Sequence, residues 1–398
     1  MKSRHFCFFG VLVVFLLVLS TGEGVLQTAE AEEVNIGYAV SLTGRFAVEG
    51  KEVDRGYHMW LDQVNASGGL RVGDKRIKVK FTVYDDESNP SVNTKRYEKL
   101  ITRDKVDLIL SAWGSGINFA SSAVAEKYRY PIVLTSAAAT SIFGRGFKYI
   151  FETTQLTPTM MAPWEGFLIE HKDKIKTVAI LYENFLFTVA LNKSLVKLVK
   201  EAGAELVLDE KYPLGGKDFT GLLLKVKGLN PDAVFVLNIM PASVYATRQA
   251  NEVGINPKLY SVNIGPMFEE EFIGGLKGMS EKVFESGFWH QDLPFDGAKQ
   301  FAKDYESKYN KRPSTDAAYA YISTQVLSQA IEMGGSIDRE VVTKTLRSGK
   351  FQTILGPYDY NEKGVNKFQK GFLCQVQNGK RVIVWPKDLA NAKVQFMR

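Results

Sequence analysis

From residue 34 onward the chain alternates short runs rich in Val, Ile, Phe and Tyr with amphipathic windows of helical length, and it does so twice. The first series has strand-like runs at 34–40, 79–84, 106–111 and 132–135, with helical windows at 50–65, 91–103 and 118–128 between them. Gly68 and Gly69 stop the first of these helices, since glycine enters the left-handed conformation that ends a helix without a steric penalty. The second series begins after Thr153, with a helix at 158–171, strands at 177–182, 205–208 and 232–237, and helices at 189–202, 219–228 and 242–252. Repeated strand–helix–strand units require parallel sheets with helices on both faces. The fold class is therefore α/β, built as two Rossmann-like parallel-sheet lobes. Further helical windows at 297–309 and 316–333 have no strand between them and are long enough to cover the first sheet again. The chain thus returns to its first lobe. Parallel sheets place ligand sites at the carboxyl ends of their strands, so two facing lobes share one cleft.

Ahead of this pattern, Lys2 and Arg4 precede an apolar run at 6–19, followed by small and polar residues ending in Ala29-Glu30-Ala31. That is the layout of a secretory signal peptide covering residues 1–31, and it predicts export to the periplasm. The apolar run is shorter than the roughly 20 residues of a spanning helix, and the absence of a second such run predicts a soluble mature protein. Cys7 lies inside the signal, which argues against a lipid anchor. Cys374 is then the single remaining cysteine, so no internal disulfide is expected.

Several function classes drop out on composition and spacing. The net charge is +6, but basic residues alternate with acids along windows such as 297–310, which is solvated helix surface and not a nucleic-acid stripe. After residue 31 the histidines are His58, His171 and His290, far apart and without metal-ligand spacing. Asp85 and Asp86, at a strand end before Asn89-Pro90, serve a turn and a helix start better than acid–base chemistry. Neither a phosphate-binding loop nor a nucleophile elbow is present. The residues give no sign of an enzyme, a metal or a cofactor, and no ATPase site.

Several segments fall in the order and spacing of one family: Asn65-Ala66-Ser67-Gly68-Gly69-Leu70, Tyr84-Asp85-Asp86 with Asn89-Pro90, Lys217-Asp218-Phe219-Thr220, 230–236, and Gly356-Pro357 with Asn361-Glu362-Lys363-Gly364. On these the chain resembles the leucine/isoleucine/valine-binding family of periplasmic receptors, from residue 34 almost to its end. The resemblance implies a type I periplasmic binding protein with three hinge crossings, near 151–158, 286–292 and 358–364. Lobe one would comprise 32–154 and 290–360, and lobe two 155–289 and 361–398.

The resemblance also implies a site. The loop Ala112-Trp113-Gly114-Ser115-Gly116 matches the segment that holds a ligand carboxylate, and the residues independently suit that role. Ser115 reads as an N-cap, and a helix N-terminus offers unpaired N–H groups and partial positive charge to an anion. Without the cleft, the same Ser is a plain cap. In the next loop, Ser136 to Thr140, Ala137 fits the family pattern. Direct alignment puts Ala139 where the family has a ligand-contacting Thr, and a one-residue shift would put Thr140 there. At Asn263 the family's amino-acid binders carry an acid that pairs the ligand ammonium; an unmatched buried charge costs roughly 2–5 kcal/mol. Glu49, at an aromatic pocket position of the family, either replaces that counter-charge or is a first-turn helix acid. Phe187 and Ile239 stand where the family has tyrosines, and Trp289 sits at a crossing. The expected ligand is a small carboxylate with an apolar, aromatic or aliphatic body, ahead of a branched-chain amino acid. Partners implied are the permease and ATPase subunits of an inner-membrane ABC importer, with the binding protein itself a monomer. Presentation of the ligand to a signalling receptor is the alternative role, and the sequence does not separate the two.

Overall fold

Strand β1 (Glu33–Val40) is the axis of the first half, because Val34, Ile36, Tyr38 and Val40 are all buried and no exposed face remains after Val34. In the computed structural model, which describes residues 33–398, the chain continues through α1 (Ala47–Ala66), a short hairpin of β2 (Leu70–Val72) with β3 (Lys75–Asp85), α2 (Pro90–Thr102), β4 (Leu108–Ile109), α3 (Ser115–Tyr128), β5 (Ile132–Leu134), α4 (Thr140–Phe143) and β6 (Ile150–Glu152). The signal peptide expected over 1–31 lies outside the described residues. β1 pairs in parallel with β3, Ile36 opposite Phe81, and with β4; β5 pairs in parallel with β6. The run expected at 106–111 shrinks to Leu108–Ile109 as a strand, because 110–113 peels away to form the loop that heads α3.

The second half runs through α5 (Thr157–Glu170), β7 (Thr177–Glu183), α6 (Leu186–Glu201), β8 (Glu205–Tyr212), α7 (Thr220–Leu229), β9 (Ala233–Leu237), α8 (Ala242–Val253), β10 (Leu259–Asn263), a π-helical turn (Glu269–Gly274) and β11 (Phe284–Gly287). β9 and β10 are buried at every position, as strands covered on both faces must be. The chain then returns as α9 (Ala298–Tyr309), α10 (Thr315–Gly334), α11 (Arg339–Ser348) and the hairpin β12 (Lys350–Thr353) with β13 (Gly356–Asp359). α10 packs along α1, so closely that a Cβ on Gly56 would lie 2.2 Å from the Ala317 carbonyl oxygen. Finally β14 (Phe372–Gln377) and β15 (Lys380–Trp385) join the second sheet antiparallel, giving the order β15-β14-β11-β10-β9-β7-β8. The parallel lobe expected from the alternation is thus a mixed sheet. Its last two strands come from a segment whose hairpin turn, Asn378-Gly379, carries no βαβ signal. The returning segment likewise contains β12 and β13, which the helical windows alone did not reveal.

Two lobes joined by three crossings result: between β6 and α5, between β11 and α9, and between β13 and β14. Cys374 is buried on β14, and burial pushes its thiol up to about 12. Among the described residues no helix is long and apolar enough to cross a membrane.

Candidate functional site

The site is assembled where three strand ends of the first lobe meet the second lobe. After β4 the chain turns at Gly114, whose φ of 82° favours glycine, and enters α3. Gly114 occupies the N-cap position, so Ser115 is the first helical residue and not the cap expected from its type. Its hydroxyl oxygen instead accepts the Ala139 N–H at 3.2 Å and fixes the next loop. With no side-chain cap, the first N–H groups of α3 are left to another acceptor. Asn118 ties the same loops together by donating to the Ala112 and Thr135 carbonyls, at 2.8 and 3.1 Å.

Trp113 forms the central wall. Its ring lies 5.1 Å from Phe46 and 6.4 Å from Phe185 of the second lobe, the latter at an interplanar angle of 6°. Its Nε1 donates to Asp316 Oδ2 at 3.0 Å, and Ser136 Oγ donates to Asp316 Oδ1 at 2.5 Å. Asp316 stands in the first turn of α10, which Ser314 caps by accepting the Ala317 N–H. Burial pushes the Asp316 carboxyl up to about 7, against the opposing effect of its two donors.

These groups border a narrow cavity. Its far wall is Phe185 and Phe187 at the start of α6, Met160 of α5, Ile264 and Met267 after β10, and Phe288 after β11. Polar atoms enter from the first lobe and its crossing: Ser115, Ser136, Thr154, Thr315 and Asp316. The Thr154 and Thr315 hydroxyls are buried without a hydrogen-bond partner. Tyr319 completes the lining and donates to the Phe288 carbonyl at 3.1 Å. No lysine, arginine or histidine lines the cavity, and among the described residues no group of acids, histidines or cysteines is placed to hold a metal ion.

Of the residues singled out from sequence, Trp113, Gly114, Ser115 and Phe187 border this cavity. Ala137 and Ala139 are buried outside its lining, whereas Ser136, in a left-handed conformation with φ 49°, and Ala138 belong to it. Thr140 is exposed at the start of α4. Trp289 is turned into the first lobe, edge-on to Phe301 with Nε1 donating to the Ile354 carbonyl, while its neighbour Phe288 faces the cavity. Asn263 is buried at the end of β10, where its Oδ1 accepts the Ser286 N–H at 3.3 Å. Ile239 borders a separate recess with Arg45, Glu183 and Lys217. Glu49 is buried beside the cleft and accepts the Met240 N–H of the second lobe at 3.1 Å; burial raises its pKa well above the ordinary carboxylate range. The strongest omission from the sequence reading is Asp316. Ser314-Thr315-Asp316 carries a helix-start signature, which gave no hint that its acid would turn inward.

The profile of the family described as periplasmic binding protein matches residues 33–381. The chain belongs to this family. It is one of solute-binding proteins, not of enzymes. This periplasmic binding protein is 25% identical to a Leu/Ile/Val-binding protein homologue of Brucella abortus, over 93% of this chain and 95% of the relative. A branched-chain amino acid transporter substrate-binding protein of Streptococcus pneumoniae, solved with isoleucine, superposes with a TM-score of 0.79 at 23% identity, over 89% of this chain and all of that one. An ABC transporter solute-binding protein of R. palustris, solved with benzoate, gives 0.78 at 19% identity, over 88% and 95%. The type I periplasmic binding protein fold is shared with both solved structures.

Proposed function

We propose that this periplasmic binding protein is the solute-capturing component of an ABC importer, and that its ligand is a small carboxylate with an apolar body held between the lobes. The observation that carries this reading is the wall of the cavity: aromatic and thioether side chains over most of its area, an uncapped helix N-terminus at one end, and no cation. A helix N-terminus supplies N–H donors and partial positive charge to an anion. Trp113, Phe185 and Phe187 offer flat apolar surface to the ligand body. The relatives solved with isoleucine and with benzoate bracket this chemistry. An acid is favoured over an amino acid because position 263 carries an amide whose oxygen is already engaged by Ser286. Ala137, Ala139 and Thr140 support the loop below the carboxylate, and Glu49, Ile239 and Trp289 act in lobe contact instead of ligand contact. The accompanying lobe division is 32–154 with 290–360 against 155–289 with 361–398, in a protein exported to the periplasm.

Native mass spectrometry of the purified protein, followed by calorimetry of the stripped protein with benzoate, 3-methylbutanoate and leucine, tests the reading. Both acids should bind more tightly than leucine, and small-angle scattering should show compaction on binding. Leucine binding tighter than either acid would refute the ligand class; no compaction with any bound ligand would refute the capture role.

A further inference from the structure

Asp316 creates a conflict with an anionic ligand that the cavity must resolve. Its carboxyl is 4% exposed, borders the cavity, and is held there by Trp113 and Ser136 from two different loops. The ionisable groups facing it from α1 are acids as well. From α1, Glu49 and Glu52 both act on it electrostatically. The loops after β4 and β5 contribute only the neutral donors Trp113 and Ser136, and α10 itself contributes Tyr319. From the second lobe the cavity receives no charged side chain. Arg55 and Lys311, the cations that reach this cluster, are both engaged with Glu52, at 2.5 and 3.0 Å. A carboxylate entering this space therefore meets a second carboxyl group with no cation between them. Two buried like charges at close range do not both stay ionised.

We propose that Asp316 is a specificity-determining residue that admits a carboxylate ligand only together with one proton, which it takes from solvent and keeps while the ligand is bound. The inference rests on the carboxylate reading of the ligand. The proton neutralises Asp316, and the hydroxyl so formed becomes a donor toward the ligand or its Ser136 partner; no covalent bond changes. Burial already pushes this carboxyl up to about 7 in the free protein, so the coupling falls in the neutral range. Affinity for an anion then decreases as pH rises above 7, by up to about tenfold per unit. A ligand bearing an ammonium group would show the opposite trend.

The test is calorimetry of benzoate binding to the whole protein between pH 6 and 8.5, in two buffers of different ionisation enthalpy. Wild type should take up close to one proton per benzoate at pH 8 and lose more than tenfold in affinity between pH 7 and 8.5. Asp316→Asn, with a thermal melt confirming its fold, should bind benzoate with no proton uptake and a flat pH profile. Benzoate binding to wild type without proton uptake overturns the role of Asp316 and leaves the carboxylate reading standing. Absence of binding by benzoate and 3-methylbutanoate, with binding by leucine or an amine, overturns the ligand reading and the proposal with it. Because proton uptake is read on wild type alone, a misfolded variant does not rescue the proposal.

Discussion

Lys311 Nζ lies 3.0 Å from Glu271 Oε1, and that contact joins the returning helices of the first lobe to the π-helical turn of the second. The same ammonium is 3.0 Å from Glu52 of α1, and next to it Arg312 lies 2.9 Å from Glu269. Lobe contact is therefore ionic on this side and apolar around Trp113 and Phe185. Replacing both lobe-two acids, Glu269→Gln with Glu271→Gln, leaves the Lys311–Glu52 pair intact. We expect the mean lobe separation to increase in small-angle scattering and ligand affinity to fall about 5- to 30-fold, since partly exposed pairs contribute roughly 0.5–1 kcal/mol each. The melting temperature should move by only a few degrees. Unchanged affinity and dimensions would mean that these pairs do not bias closure.

Glu49 provides a second link between the lobes, of a different kind. Burial raises its carboxyl well above the ordinary range, and it accepts the Met240 N–H across the lobes. Glu49→Gln keeps that acceptor and should change ligand affinity less than twofold at pH 7. Glu49→Ala leaves the Met240 N–H unpaired on closure and should weaken binding roughly tenfold, at about 1–2 kcal/mol for an unsatisfied buried donor. Comparable losses in both variants, measured by calorimetry, would assign Glu49 a charge-dependent role instead.

Arg381 on β15 is buried and lies 3.2 Å from the buried Glu285 of β11, while His290 Nε2 contacts the Arg381 carbonyl oxygen at 3.0 Å. Truncation to Arg381→Met strands Glu285 without its counter-charge and should cost about 3–5 kcal/mol in urea unfolding. The double change Arg381→Met with Glu285→Leu should recover most of that loss. Failure of the second change to recover stability would show that Arg381 acts through its hydrogen bond to the Trp289 carbonyl.

The unliganded protein should lose stability as pH rises through neutrality, and Asp316 supplies part of this. Its folded pKa, about 7, exceeds the usual unfolded value near 4. The stability tied to its proton is fully present below about pH 4 and is lost as pH rises through about 7, at roughly 1.4 kcal/mol per unit between the two values. His290 works in the other direction, since burial and Arg381 push it down to about 4, so its contribution fades as pH falls below about 6.5. Comparing Asp316→Asn with wild type cancels the histidine. The variant should show a smaller decline between pH 5 and 8 in chemical denaturation, and equal slopes would contradict the assignment.

The sequence carried the fold further than it carried the site. Elements whose residues are uniformly apolar, such as β9, or strongly periodic, such as α2 and α9, were legible because burial and helical period leave a direct trace in residue type, whereas β10, with Ser261 and Asn263 in it, was not read as a strand. β8 ended late relative to expectation because it is an edge strand, whose polar positions Asp209 and Glu210 face outward. At the site, Trp113, Gly114, Ser115 and Phe187 were reached through loop position. Which residues of 136–139 line the cavity depends on the local backbone course, with Ser136 left-handed, and side-chain type does not encode it. Asp316 arrives from more than 200 residues beyond Trp113, and only tertiary packing brings the two together.

The return of the chain to its first lobe also fixes when each lobe can be finished. α1 gains its returning helical partners only when α9 and then α10 have been made, so the first lobe lacks part of its cover until residue 334. The second sheet stays open at β11 until β14 and β15 exist, near residue 385. Neither lobe is complete on a chain shorter than most of the whole, and contacts this distant in sequence form slowly. Synthesis therefore ends before folding does, and a late, nearly full-length chain with two unfinished lobes is the species that a chaperone or a protease meets.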